Sequence, residues 1–544
     1  MSVLDVSSST PRAVDPAAFK QIIDLGIALS AERNHDRLLE SILLGAKDIT
    51  NADGGTIYLR TEEDRLSFAI IRNDTLGIAM GGTTGKTIPF PALRMYREED
   101  NQPNHSNVST HVALTGSVIN IADAYDTANF DFSGTKAFDQ KTGYRSKSFL
   151  TAPLKNHKGD VIGVIQLINA RVRNTPDVIP FDPEVVPLIE SLASQAAVAL
   201  DNQQLIAAQK NLFDSFMTMM AAAVDAKSAY TGGHCQRVPV LTEMLAEAAC
   251  NEAAGPFAEF KLSEEEWYEL QIAGGLHDVG KVTTPVHIMD KATKLEKITD
   301  RIDEVKVRFE LLKRDAQIQY FKQAAANGID KAEIEAESRA RVQKITEDYA
   351  FVAECNVGGE FMADEKIARL KEIAKQEIEL DGKVQPLLSE DEVMNLSIRR
   401  GTLNDSDRKI INDHIVLTIQ MLESLPFPKQ LRRVPEIAGG HHEKIDGTGY
   451  PKGLNQEQMS VPARMMGIAD IYEALTAADR PYKKPKTVSE SIKIMSFMKK
   501  DKHIDSDLFD LFLRSGVYKK YAERFLLPEQ IDDVNIEQYL SKPA

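Results

Sequence analysis

Five histidines and two aspartates of this 544-residue chain stand in short runs with the chemistry of a metal site. The densest run is His441-His442-Glu443-Lys444-Ile445-Asp446-Gly447-Thr448-Gly449-Tyr450-Pro451. Upstream are His277-Asp278-Val279-Gly280-Lys281, His414 in Asn412-Asp413-His414, and His234 in Tyr230-Thr231-Gly232-Gly233-His234. Downstream is Asp470, in Gly467-Ile468-Ala469-Asp470. Neutral imidazoles and carboxylates are donors for borderline divalent metals such as iron, manganese, zinc or nickel. Seven such donors exceed what one ion with open positions needs, and suit two ions sharing a carboxylate and a water. Such a pair activates water and clamps a phosphoryl centre for in-line attack.

The elements that must position these residues are mostly helical. His277 and Asp278 are expected at the end of an apolar helix over Tyr268 to Leu276. Adjacent helical residues point about 100° apart, so His277 can serve one ion while Asp278 bridges both. Lys281 lies one turn further along, where its ammonium reaches the same side and is assigned to neutralising phosphate. In Gly447 to Pro451 the glycines permit close approach and the proline stiffens the loop.

From about Asp225 to Lys484 these runs resemble the HD-GYP family of cyclic-dinucleotide phosphodiesterases. His-Asp-x-Gly-Lys alone points only to the wider HD hydrolases; the full run from His441 to Pro451 separates this family from them. The resemblance implies that His234, His277, Asp278 and Asp470 hold one metal, and Asp278, His414, His441 and His442 the other. Iron or manganese is the first expectation. It also implies that Gly447, Gly449, Tyr450 and Pro451 line the substrate groove, with Tyr450 contacting a base or shaping the loop. Arg480, Lys483 and Lys484 form a basic cluster suited to a second phosphate. Some family members carry a Glu four residues before the first histidine that supports a third metal. Tyr230 stands there, so two metals are expected, with Asp225 as the nearby acidic candidate for a third. The implied activity is hydrolysis of cyclic di-GMP to pGpG and onward to GMP. Hydrolysis of cyclic GMP-AMP, and a non-hydrolysing dinucleotide-binding effector, are the alternatives. A general HD phosphohydrolase fits the Gly-Tyr-Pro loop less well.

Residues 17–182 read as an α+β domain. Phe19 to Ser30 and Leu38 to Ile49 have helical periodicity. Thr56 to Arg60, Leu66 to Ile71, Ser148 to Leu154 and Val161 to Leu167 read as strands, the last two joined by a hairpin turn at Asn156 to Asp160. With Ile119 to Tyr125 and Phe138 to Ser148, this order resembles a GAF sensor domain of the branch found in cyclic-nucleotide phosphodiesterases and adenylyl cyclases. That branch often carries Asn-Lys…Phe…Asp-Glu; here Asn169-Ala170-Arg171 and Phe181-Asp182-Pro183-Glu184 rearrange it. A cyclic nucleotide is the first candidate ligand.

Residues 183–224 read as one long helix. Val185, Ile189, Leu192, Ala196, Ala199, Ile206, Phe213, Met217 and Met220 form a heptad-like seam, from which a parallel homodimer through 185–220 is expected. Residues 225–544 form the predominantly helical HD half, interrupted at about 294–400 by a segment rich in Lys, Glu, Ala and Arg that predicts a projecting helical hairpin. The fold class is therefore multidomain: an α+β GAF domain joined by a long helix to an all-α HD-superfamily domain with a helical insertion.

The net charge of −16 argues against polymeric nucleic acid as a partner. Three cysteines (Cys235, Cys250, Cys355) suit a reducing compartment. No apolar run approaches the ~20 residues of a membrane span. Residues 1–16 are Ser/Pro-rich, lack signal-peptide order and read as a disordered leader, so a cytoplasmic protein with no membrane partner is expected.

Overall fold

A computed structural model describes residues 16–173, 175–227, 233–325, 331–359, 361–478 and 485–541. Residues 1–15 of the expected leader, Tyr230, and the basic cluster Arg480, Lys483 and Lys484 lie outside the described residues. The chain divides into two compact units, Met1–Phe213 and Asp214–Ala544. Among the described residues no helix is long and apolar enough to cross a membrane.

The first unit is built on an eight-stranded antiparallel sheet. Its main path runs Ile78–Gly81, Arg65–Asn73, Ala52–Arg60, Val161–Arg171, Phe149–Lys155, Ile119–Ile121. Strand side chains alternate between faces. Ile57, Ile165 and Leu167 point to a core shared with Leu39, Ile42 and Leu43 of the helix His35–Thr50. Tyr58, Phe149 and Val164 join a second cluster with Val108, Val112 and Phe132.

The long helix is Val186–Lys227. Its early turns correct the expected dimer seam: Ile189, Leu192 and Ala196 are fully buried in the core of their own domain. The physical reason is that an apolar stripe facing a sheet and one facing a partner helix have nearly the same periodicity. The apolar residues left exposed are Val198, Leu205, Leu212 and Met219, with Ile206 and Phe216 beside them.

The second unit is helical around the site. His234–Cys250 packs against Glu264–Leu276 and Val461–Thr476, with Leu241, Leu245, Ile272, Met465 and Ile468 buried. Capping boxes at Ser263/Glu266 and Asn404/Asp407 start the helices Glu264–Leu276 and Asp405–Glu423. The insertion is more than the expected hairpin. Ile302–Ala324 and Lys331–Asn356 run antiparallel, Phe309 meeting Tyr349 and Gln319 meeting Arg341. They share a separate core with Asp364–Ala374 and with the β-hairpin Glu377–Leu380/Lys383–Pro386. That hairpin turns at Asp381-Gly382, both at positive φ, a two-residue turn signal that the helix-rich composition of the segment overrode.

Candidate metal centre

His277 ends the helix Glu264–Leu276 as its C-cap, and Asp278 (φ −110°, ψ 11°) has already left helical geometry. The pair therefore diverges because the chain turns, not by the helical step expected. Gly280 makes the turn fit. A Cβ there would lie 2.0 Å from the carbonyl oxygen of His414 and 2.7 Å from the Thr418 nitrogen. Its own N–H donates to Thr418 Oγ1 at 2.9 Å. Only glycine lets the His-Asp segment lie directly on the helix Asp405–Glu423, and this contact brings Asp278 to His414.

Asp278 is fully buried and presents one oxygen to each of two groups. Oδ2 lies 3.3 Å from His234 Nε2 and 3.3 Å from His277 Nε2. Oδ1 lies 3.3 Å from His414 Nε2 and 3.9 Å from His441 Nε2. Asp470, on Val461–Thr476, places Oδ1 3.2 Å from His234 Nε2. The potential ligand atoms of His234, His277 and Asp278 all lie within 4.8 Å of one another, as do those of His414, His441 and His442.

The rings are aimed by their other nitrogen. Nδ1–H of His277 donates to the Gly274 carbonyl at 2.7 Å, that of His441 to Ala438 at 2.6 Å, and that of His414 to Ile411. Each Nε2 then carries a lone pair. His414, His441 and His442 Nε2 and Asp278 Oδ1 are buried without a hydrogen-bond partner. Acceptors facing one another with no hydrogen between them are what a cation satisfies, so these atoms fit one of the two expected ions; the group of His234, His277 and Asp278 fits the other by the closeness of its donor atoms.

The electrostatics distinguish the two groups. Burial opposes ionisation of Asp278, but Lys281 and the neighbouring imidazoles outweigh it and hold the carboxyl well below its usual range. Asp470 is held low in the same way, its bond to His234 outweighing burial. Burial drives His441 far down and His442 to about 4, which keeps both neutral. His234 goes the other way: Asp278, Asp470 and Glu473 overcome burial and raise it well above its usual value. Lys281 Nζ sits 2.5 Å from Asp278 Oδ2 and is raised, attraction to Asp278 and Asp470 outweighing burial.

Both halves of the chain resemble known proteins. Residues 34–200 match the GAF domain model and residues 390–508 the HD domain model. A 119-residue stretch is 37% identical to 3′3′-cGAMP-specific phosphodiesterase 1 of Vibrio cholerae, covering 21% of this chain and 26% of that protein. A stretch of 119 residues is 39% identical to a cyclic di-GMP phosphodiesterase of Pseudomonas aeruginosa, covering 22% and 28%. These matches span about a quarter of the relatives' own length. The chain therefore carries a GAF domain and an HD domain. The HD match contains His414, His441, His442 and Asp470; His234, His277 and Asp278 precede the insertion and fall outside it.

Three supporting residues of the HD domain were not read from the sequence. Glu473 is fully buried, engages His234 Nδ1 and accepts from Arg237 Nε at 2.8 Å. Its signal was its place three residues after Asp470 on one helix, hence on the same face. Arg237, three residues after His234, is its counter-charge. Glu443 of the His-His-Glu run holds the Gly-Tyr-Pro loop, accepting from Lys452 N at 2.7 Å and Leu454 N at 2.9 Å. Gly449 passes so close that a Cβ would lie 2.3 Å from Lys444 N. The loop, with Gly447 at its start and a cis Tyr450–Pro451 bond, stacks Tyr450 on His442 at 4.9 Å between ring centroids. Burial pushes the Tyr450 phenol up to about 12, so it stays a neutral donor.

The GAF domain holds a cavity of about 400 Å³ lined by Tyr58, Phe68, Phe90, Phe132 and Phe149, with Arg72 and Gln166 among its polar groups. Arg72 donates to Glu40 Oε1 at 2.6 Å and to the carbonyls of Ile71 and Met80. The signature remnants serve structure. Asn169 accepts from Lys147 N at 2.7 Å and donates to Tyr144 Oη at 2.8 Å, Phe181 is buried, and Asp182 caps the turn at Glu184.

Proposed function

We propose that this chain is a metal-dependent phosphodiesterase that hydrolyses cyclic di-GMP to pGpG and onward to GMP. Its HD domain does the chemistry and its GAF domain regulates it. The observation that carries the reading is the shared carboxylate of Asp278, one oxygen toward His234 and His277 and the other toward His414 and His441. His234, His277, Asp278 and Asp470 would hold one divalent ion, and Asp278, His414, His441 and His442 the other, iron or manganese by their donor type. When bound, such ions supply the charge that activates water and neutralises phosphoryl oxygens. The chain's own groups do the rest. Lys281 keeps an ammonium beside Asp278, ready to meet charge developing on phosphate. Tyr450, neutral and stacked on His442, borders the groove with Gly447, Gly449 and Pro451 and offers its ring to a base. Arg480, Lys483 and Lys484 are assigned to the second phosphate.

Cyclic GMP-AMP is the second reading, supported by the identity to a Vibrio cholerae protein named for it. Turnover of both dinucleotides by anaerobically purified protein, with metal analysis, tests the proposal. Two metals per chain and release of pGpG or GMP are expected; no turnover of either substrate by fully metallated protein sinks it. Exclusive turnover of cyclic GMP-AMP replaces the first reading with the second.

The GAF cavity is proposed to take a cyclic mononucleotide, its aromatic lining suiting the base. Calorimetric titration with cyclic GMP and cyclic AMP tests this; no heat with either rejects it. A cytoplasmic homodimer is also proposed, its contact moved to the exposed row Val198, Leu205, Leu212 and Met219, which repeats every seven residues as a two-stranded coiled coil does. Leu205→Glu with Leu212→Glu should then sediment as monomer; a monomeric wild type at micromolar concentration ends the idea.

A further inference from the structure

The long helix Val186–Lys227 ends beside the metal centre, and its last turn carries two polar side chains that the chemistry above does not use. Asp225 is buried and accepts from the backbone N–H of Gly233 at 3.1 Å and of Cys235 at 3.4 Å. These amides open the helix His234–Cys250, whose first residue is a metal-ligand candidate and whose N-cap, Gly233, has no side chain to offer. An anion at a helix start satisfies orphan donors and complements the helix dipole. The carboxylate expected as a candidate ligand for a third ion is thus committed to placing His234.

Two residues on, Lys227 Nζ donates to the carbonyl of Lys281 at 3.3 Å and to that of Val282. Those carbonyls belong to the short 3-10 turn Val279–Thr283, which follows Asp278 and carries Lys281. The turn before these residues is anchored as well, Ala221 and Val224 packing on Cys235. One helical turn therefore grips both segments of the first ligand group, His234 through Asp225 and Asp278–Lys281 through Lys227.

We propose that Asp225 and Lys227 are positioning residues that set the separation of His234 from Asp278, making the end of the linker helix the point at which helix movement reaches metal occupancy. Neither residue is among the seven ligand candidates. Both act through backbone, so the effect depends on where the helix end sits. The ligand segments follow the helix end because these bonds and the packing of Ala221 and Val224 on Cys235 tie them to it. This inference rests on the two-metal reading of the HD domain and adds a mode of control to it.

The test uses full-length protein and Mn²⁺. Lys227→Met and Asp225→Asn are compared with the conservative Lys227→Arg by Mn²⁺ titration, by the electron paramagnetic resonance of the loaded pair, and by melting of the metal-free protein. Lys227→Met and Asp225→Asn should each weaken Mn²⁺ uptake at one of the two ions by about tenfold, the low end of what outer partners of metal ligands cost. They should also alter the spin coupling between the ions, while the metal-free melting point stays near wild type. Lys227→Arg should restore both signals. Unchanged Mn²⁺ affinity and coupling in both variants overturns the clamp while leaving the two-metal reading intact. A lowered metal-free melting point with unchanged coupling assigns the residues to folding alone and also overturns it. Wild type that takes up no Mn²⁺ or Fe²⁺ removes the two-metal reading, and the clamp with it.

Discussion

The HD centre and the GAF cavity both enclose buried polar groups, but they dispose of them in opposite ways. In the HD centre the backbone takes one nitrogen of His277, His414 and His441 and leaves the other facing Asp278. In the GAF cavity Arg72, Tyr144 and Gln166 are consumed by internal partners, Arg72 by Glu40, Tyr144 by Asp53 and Gln166 by Thr151. A site that leaves acceptors open is built for a cation. A site that closes its polar groups on one another keeps its shape and offers mainly aromatic surface. The difference teaches that the ligand's charge is legible in which buried atoms lack a partner, more than in which residue types line a space.

The most severe way to break the HD side of this contrast is Asp278→Ala. It removes the one carboxylate that faces both groups, so hydrolysis should be undetectable and metal content should fall below one per chain. The circular dichroism of the helical unit should persist, because the surrounding core does not need that side chain. Wild-type metal content in Asp278→Ala would show that the open acceptors do not define the site.

Gly280→Ala attacks the scaffold instead of the donors. A methyl group 2.0 Å from the His414 carbonyl must push the His-Asp segment off the helix Asp405–Glu423. Overpacking of this kind costs roughly 1–3 kcal/mol. Thermal unfolding should show that loss in the HD unit, with weakened metal uptake and an unchanged GAF unit. A neutral result would mean that the segment has slack the close contact denies.

Glu473→Gln sharpens the contrast more gently. It keeps the shape and removes the charge that fixes His234 through Nδ1. Loss of such a partner typically weakens metal binding roughly 10–100-fold. Titration should show that loss on one of two ions only, since Glu473 meets His234 and not His414, His441 or His442.

How much of this was legible in the sequence follows the range of the interactions. The candidate ligands were readable because each sits in a short run whose residue types have few other uses together. Glu473 and Arg237 were not, because their role appears only when two helices far apart in sequence bring Asp470 and His234 face to face. The GAF strands and their turns were readable from alternation and from Asn156 to Asp160, whose Gly159 has φ 85°. The seam of the long helix misled because Leu192 obeys the same spacing whether it meets a sheet or a second helix, and only the tertiary core separates the cases. The Asp381-Gly382 hairpin was readable in principle and was masked by the helical composition around it.

The smallest expected effect lies on the GAF side, where the partnered ion pair behind the cavity predicts a pH dependence. Glu40 bonds to Thr83 and receives Arg72 Nε at 3.2 Å and Nη2 at 2.6 Å. The bond from Thr83 first, and those from Arg72 next, lower the carboxyl from its ordinary 4.5. A carboxyl whose folded pKa is depressed stabilises the fold in full above its unfolded value and loses that contribution as pH falls through the folded value. The GAF unit should therefore keep this stability above about pH 5 and lose it progressively below about pH 4.5, by less than about 1 kcal/mol for a partly exposed pair. Glu40→Gln should flatten that part of the stability–pH curve while leaving the cavity lining in place. A wild-type curve with no fall below pH 4.5, or a Glu40→Gln curve as steep as wild type, would show that Arg72 is not held by this carboxylate and is available to a ligand. That outcome would bring the GAF cavity closer to the HD centre in kind, and would favour an anionic ligand over one recognised by its aromatic face.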